Sequence, residues 1–124
     1  MTDRDSEGYW AAARRHELVV RVCRPAGHVL HLPREYCARC DTFDVEWRTV
    51  AGHGTVHTWT VVEHSVDADH PAPYTVVLVE LDDPPGVRFV SDLPGRPDLR
   101  TGQPMVVRFD EIADGTTLPR WVPA

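Results

Sequence analysis

The chain has 124 residues, enough for one domain with a modest hydrophobic core, and carries a net charge of -6 with 13 arginines and no lysine. The acidic balance argues against a nucleic-acid partner won by phosphate neutralisation, and the lack of lysine excludes Schiff-base chemistry and a P-loop, which both need an amine. Three cysteines, two of them three positions apart, suit a reducing compartment. With no apolar run long enough for a bilayer and no signal-peptide core, the expectation is a cytoplasmic protein without a membrane partner.

Ser6 to Arg15 (SEGYWAAARR) predicts a short helix: a serine for the N-cap, an acidic first turn, alanines, and arginines at the end. Tyr9, Trp10 and Ala13 fall on one apolar face. A lone helix this short is marginal in water, so residues 1–16 are expected to dock on the protein's own body or on a partner subunit.

Leu18 to Val22 then reads as a strand running into Cys23, Val29 to Leu32 as a return strand stopped by Pro33, and Phe43 to Val50 as a third, ending at the turn Ala51 to Gly54. Between them, Cys37 and Cys40 form a C-x-x-C knuckle able to hold one tetrahedral zinc, with Cys23 as a third ligand. The matching fourth position is Ala26, followed by Gly27. Two readings stay open for this degenerate module over 17–50. Either it is a metal-free ribbon held by packing, or a nearby imidazole completes the site, His28 or His31, of which His28 is taken into the candidate set Cys23, Cys37, Cys40 and His28. Neither histidine occupies the knuckle position, so the loop is expected to reshape. A redox role for Cys37 and Cys40 lacks the following helix that would activate a thiol.

From Thr55 the periodicity is two. Thr55 to His64, Tyr74 to Leu81, Val87 to Ser91, Met105 to Phe109 and Thr117 to Val122 are strand-length runs separated by Pro, Gly and Asp clusters. A mainly β protein follows, with an OB-fold barrel of five strands over 51–124, since closure removes exposed edges in a domain too small for a sandwich. Strict alternation would put His53, Thr55, His57 and Trp59 on one face of the first barrel strand.

No set of residues reads as a self-contained catalytic centre. Glu63, His64 and Ser65 are neighbours on an extended chain and point to opposite faces. His64, Asp67, Asp69 and His70 could ligate a metal, but in a proline-stiffened loop they read more simply as a solvated connection. Arg88, Arg96, Arg100 and Arg108 could meet the phosphates of CoA or could serve only as solubilising charge.

The order of parts resembles the DUF35 family of OB-fold proteins associated with acyl-CoA metabolism. The matching residues are Tyr9-Trp10, Cys23, Gly27, Pro33-Arg34, Cys37 and Cys40, then Gly52 and Gly54-Thr55-Val56, then Tyr74 through Val79-Glu80-Leu81, Gly102, and Leu118-Pro119. The chain departs at Ala26, where the family pattern has cysteine. The resemblance implies an accessory subunit, not an enzyme by itself, bound to a thiolase or a lipid-transfer-like aldolase as a heterotetramer of two plus two. The partner would carry the catalytic residues and use the CoA thioester as substrate, in steroid side-chain or other acyl-CoA degradation. Tyr9, Trp10 and Trp59 are the aromatic anchors expected at such an interface. The rival expectations are a single-stranded nucleic-acid module stacking bases on Trp59, Tyr74 and Phe89, and a small metalloenzyme using the His64 to His70 loop.

Overall fold

The computed structural model describes residues 4–113 and 115–124. The elements run α1 (Glu7–Arg14), β1 (Leu18–Cys23), β2 (Val45–Val50), β3 (His53–Val62), β4 (Tyr74–Leu81), β5 (Arg88–Pro94), β6 (Pro104–Ala113) and β7 (Thr116–Pro123). Two compact units emerge: Met1–Ala51 with Phe109–Pro119, and Gly52–Arg108 with Arg120–Ala124. No helix among the described residues is long and apolar enough to cross a membrane.

In the first unit, α1 ends in a Schellman motif. His16 takes the left-handed conformation (φ 59°), its N–H bonds Ala13 O at 2.9 Å, and the Glu17 N–H bonds Ala12 O at 3.0 Å. Histidine replaces the usual glycine there, and its ring stacks on Phe109 with centroids 5.4 Å apart. Ala12 and Ala13 are the buried residues of the helix, while Tyr9 and Trp10 are half-buried and meet edge to face at 5.2 Å. The apolar face is therefore turned toward the alanines, because small side chains let the helix approach β1 and β2 closely. Gly8 touches the Trp47 indole, and the Arg21 guanidinium covers that ring at 4.6 Å.

β1 and β2 pair antiparallel from Leu18↔Val50 to Cys23↔Val45. The expected return strand over Val29 to Leu32 is absent: Val22↔Val29 is a single bridge, and Leu30 donates its N–H to Arg21 O at 2.8 Å. Pro33 has no N–H to extend a ladder, and the chain instead turns Leu30 inward against Cys23 and Cys37 while Leu32 is left 79% exposed.

In the larger sheet, β3 pairs with β4 and β4 with β5, and the five strands have the order β5-β4-β3-β6-β7, the second unit holding β3, β4, β5, the start of β6 and the end of β7. Gly54 is required where β3 crosses β4, since a Cβ there would lie 2.5 Å from Glu80 O. Val56, Val77, Val79, Leu81, Phe89, Leu93, Met105 and Trp121 form the inner face, with the buried Thr75 hydroxyl satisfied by Gly95 O at 2.8 Å. The expected closed barrel is corrected: the sheet is OB-like but open. β7 carries Pro119 and Pro123, which have no donor, and the Trp121 N–H goes to Ser91 Oγ at 2.9 Å. The two outer strands meet through that backbone-to-side-chain bond, the Phe89–Trp121 stack at 6.0 Å and the Arg120–Asp92 pair at 3.2 Å.

Two outcomes follow from the helix packing. Gly8→Ala would gain about 1 kcal/mol of helix propensity, but its Cβ would fall 2.1 Å from Trp47 Nε1, and displacing a rigid indole costs about 1–3 kcal/mol, so urea denaturation should show net destabilisation. Burial raises the Tyr9 phenol from 10.0 to about 12. The folded protein thus keeps a proton that the unfolded chain loses. Stability should be intact below pH 10 and fall by about 2 kcal/mol as pH rises to about 12, a loss that Tyr9→Phe should abolish in denaturant titrations at several alkaline pH values.

Candidate metal centre

Two turns at one end of β1 and β2 carry the ribbon cysteines. In the second, the Cys37 N–H bonds Thr42 O at 2.9 Å, closing a loop whose fifth residue, Asp41, is left-handed (φ 51°). In the first, the Cys23 N–H bonds His28 O at 2.9 Å, and the fifth residue, Gly27, is left-handed as well (φ 72°). The turns are equivalent residue by residue: Ala26 stands where Cys40 stands, and His28 where Thr42 stands. The Asp41 side chain accepts from the Tyr36 hydroxyl, and Thr42 Oγ1 accepts from the Asp44 N–H at 3.0 Å, so the second turn is braced by its own side chains.

Between the turns, the ligand atoms of Cys23, His28, Cys37 and Cys40 all lie within 4.8 Å of one another. Cys23 Sγ and Cys40 Sγ are 3.8 Å apart, and His28 Nδ1 is 3.6 Å from Cys37 Sγ and 3.3 Å from Cys40 Sγ. A tetrahedral zinc with bonds of about 2.3 Å to sulfur and about 2.0–2.1 Å to nitrogen requires separations of about 3.8 Å for S···S and about 3.6 Å for S···N. Three edges of the cluster match that tetrahedron to within 0.3 Å, the largest departure being the 3.3 Å edge. The first turn keeps the closing bond and the left-handed fifth residue of the second but differs in the return bond, which runs from Gly27 N–H to Cys23 O at 2.8 Å where the second turn uses Thr42 N–H to Cys37 O at 3.3 Å. His31 is outside the cluster.

The surroundings act on Cys23 and Cys40 in opposite directions. Cys23 and Cys37 are fully buried beside Leu30, with Val45 packed against them. Burial raises the Cys23 thiol, but N–H groups of Ala26 and His28 and the Cys40 and Cys37 thiols outweigh it and bring the group below its usual range. Cys40 is pushed up to about 11, by burial first and by Cys23 and Cys37 next. A redox C-x-x-C needs a helix N-terminus to activate its first thiol, and no helix begins at this knuckle. Three sulfurs this close can all ionise only with a cation among them.

Elsewhere the sequence candidates disperse. Asp67 Oδ1 accepts from the N–H groups of Asp69 at 3.0 Å and His70 at 2.9 Å and pairs with His70 Nδ1 at 3.0 Å. The His70 contact, then these backbone bonds, hold the Asp67 carboxyl below its usual range. This is a self-bonded turn, and among the described residues the ribbon cluster alone gathers three or more metal-ligating groups. Arg88 pairs with Glu80 at 3.0 Å and Arg96 with Glu63, so neither is free for phosphate.

Strict alternation on β3 fails at a bulge. Val56 pairs with Val79, but Thr58 pairs with Leu78, leaving His57 as the extra residue. Trp59 then falls opposite buried Val77, on the same face as Val56, and is 37% exposed. Phe89 is buried against Trp121, and Tyr74, opposite Val62, lies on the other face. Trp59, Tyr74 and Phe89 therefore form no common stacking platform for nucleic-acid bases.

Comparison with known proteins accords with this architecture. The family described as ChsH2, rubredoxin-like zinc ribbon domain, matches residues 10–46, and that described as ChsH2, C-terminal OB-fold domain, matches residues 47–110. A protein of Thermomonospora curvata named "Probable enoyl-CoA hydratase alpha subunit" is 34% identical over 98% of this chain, which spans 38% of that protein's length. A chain of the "Ltp2-ChsH2(DUF35) aldolase" superposes with a TM-score of 0.88 at 31% identity, covering 98% of this chain and 96% of that one. A DUF35 protein of unknown function from Sulfolobus solfataricus shares the fold, with a TM-score of 0.64 at 14% identity over 86% of this chain and 78% of that one. With a helix, a Cys/His ribbon and an open OB-like sheet following one another along its length, the chain belongs to the DUF35 family and is of the ChsH2 type.

Proposed function

We propose that the chain is a non-catalytic accessory subunit of an acyl-CoA enzyme, and that its partner is a thiolase or a lipid-transfer-like aldolase of the thiolase superfamily, assembled two plus two. The CoA thioester would belong to the complex as substrate, from a steroid side chain or another acyl chain. The observation that carries this reading is the near-complete superposition on the DUF35 chain of an aldolase complex. The name of the Thermomonospora relative, an enoyl-CoA hydratase subunit, lends the same direction. The ribbon's own chemistry agrees, because its donors are used among themselves.

In this reading Cys23, His28, Cys37 and Cys40 hold a structural zinc. Bound there, zinc cross-links the two turns, and four protein ligands leave no open position for substrate. Trp10 and Trp59 supply aromatic area to the partner, and Tyr9 buttresses Trp10 from its half-buried seat.

Purification of the native chain from its own cells by gel filtration, with mass spectrometry of what co-elutes, is expected to return a thiolase-superfamily partner in a fixed ratio. A lone chain at native concentration would overturn the proposal. Trp10→Ala should weaken the complex by about thirtyfold, a loss of about 2 kcal/mol, while leaving the circular dichroism of the free chain unchanged.

A further inference from the structure

We infer that the first ribbon turn has moved its metal ligand two residues along the chain while keeping the turn's closing bond and left-handed fifth residue: the seat that a cysteine at position 26 would fill is taken by Nδ1 of His28. The inference rests on the proposed ribbon zinc and specifies how this chain binds it.

The backbone argument comes first. Both turns are closed by a bond from the first cysteine's N–H to the sixth residue's carbonyl, at 2.9 Å in each, and both place a left-handed residue fifth. In the second turn the fourth residue, Cys40, turns its sulfur to the centre and the sixth, Thr42, braces the loop. In the first turn the fourth residue is Ala26, with no donor, and the sixth is His28, whose Nδ1 reaches Cys40 and Cys37. An imidazole ring carries its nitrogen one bond farther from the backbone than a cysteine carries its sulfur, so the sixth position can serve the centre that the fourth serves with a thiol. Left-handed Gly27 lies between the two positions and has open space around its Cα.

The bonding around Cys23 fits the same scheme. His28 gives its backbone N–H to Cys23 Sγ at 3.2 Å while its ring nitrogen faces the other two sulfurs, so one residue contacts the whole cluster. A second N–H, from Ala26, also reaches Cys23. The electrostatic consequence is definite. Three thiolates and one imidazole around Zn²⁺ leave one net negative charge, against two for four thiolates, in a setting walled by Leu30 and Val45. Replacing a thiolate by a neutral ligand halves the charge to be desolvated there. Metal bonding through Nδ1 also fixes the tautomer, with the proton on Nε2.

The test uses the full chain and Co²⁺ as a spectroscopic stand-in for zinc, in competition titrations. The native chain should bind one equivalent with the absorption of a three-sulfur, one-nitrogen tetrahedral site, and ¹⁵N NMR of the zinc form should place the imidazole proton on Nε2. His28→Ala should lose more than the roughly 10–100-fold that changes outside the ligand set cost, and His31→Ala should lose nothing. The double variant Ala26→Cys, His28→Ala should regain tight binding with a four-sulfur spectrum. Unchanged affinity and spectrum in His28→Ala would overturn the relocation and leave the ribbon zinc standing. So would a proton on Nδ1, or a double variant that keeps the native circular dichroism yet fails to regain metal. A native chain that binds neither metal would overturn the zinc reading itself.

Discussion

The convergence of Cys23, His28, Cys37 and Cys40 on one point is the constraint from which the ribbon's architecture follows. A two-stranded sheet with a single short helix cannot bury enough apolar surface to order long turns. The apolar supply here is β1, nearly all of whose residues are buried, the two alanines of α1, and Leu30. Everything beyond β1 and β2 is organised by the turns themselves, through matched backbone closures, left-handed fifth residues, and donors from Ala26 and His28 to sulfur. Arg24, on the first turn, is committed to Asp44 and Glu46 at the surface.

In the second unit a comparable problem is solved without a cross-link between turns. An OB-like sheet leaves two outer strands exposed unless they meet. Prolines in β7 prevent a full ladder, and Trp121 takes over: its indole stacks on Phe89 in the interior while its N–H is satisfied by Ser91. Because Trp121 is almost wholly buried, this contact is screened from water and outweighs the exposed ion pairs of the same unit, each worth a fraction of a kcal/mol to about 1 kcal/mol. The bulge at His57 has a separate effect. It lets one strand present Val56 to the core and then place Trp59 on that same face, 37% exposed.

Much of this was legible in the chain. The helix, β1, β2 and all five strands of the second unit follow from periodicity and from Pro and Gly punctuation, and β4 has the residues expected of it, Tyr74 to Leu81. The return strand over Val29 to Leu32 failed because three apolar residues around His31 satisfy the pattern of a strand, while Pro33 offers no N–H to carry a ladder onward. The closed barrel failed for a related reason. Strand count is visible in sequence, whereas closure depends on which donor each outer strand offers, and Pro119 and Ser91 decided that locally.

The sequence by itself determined the kinds of chemistry available: three soft sulfurs and nearby imidazoles, no lysine, and aromatic residues at Trp10 and Trp59. It also determined the family, through residues spread along nearly the whole chain. Only the tertiary structure decided that His28 and not His31 faces the sulfurs, that the turn with Ala26 keeps its closing bond and left-handed fifth residue, and that Trp59 shares a face with Val56. Ligand identity is a property of residue type and spacing, and spacing is linear. Which atom reaches a common centre depends on backbone closure, handedness and bulges, and these are set by hydrogen bonds within the turns and between strands, which linear spacing does not show.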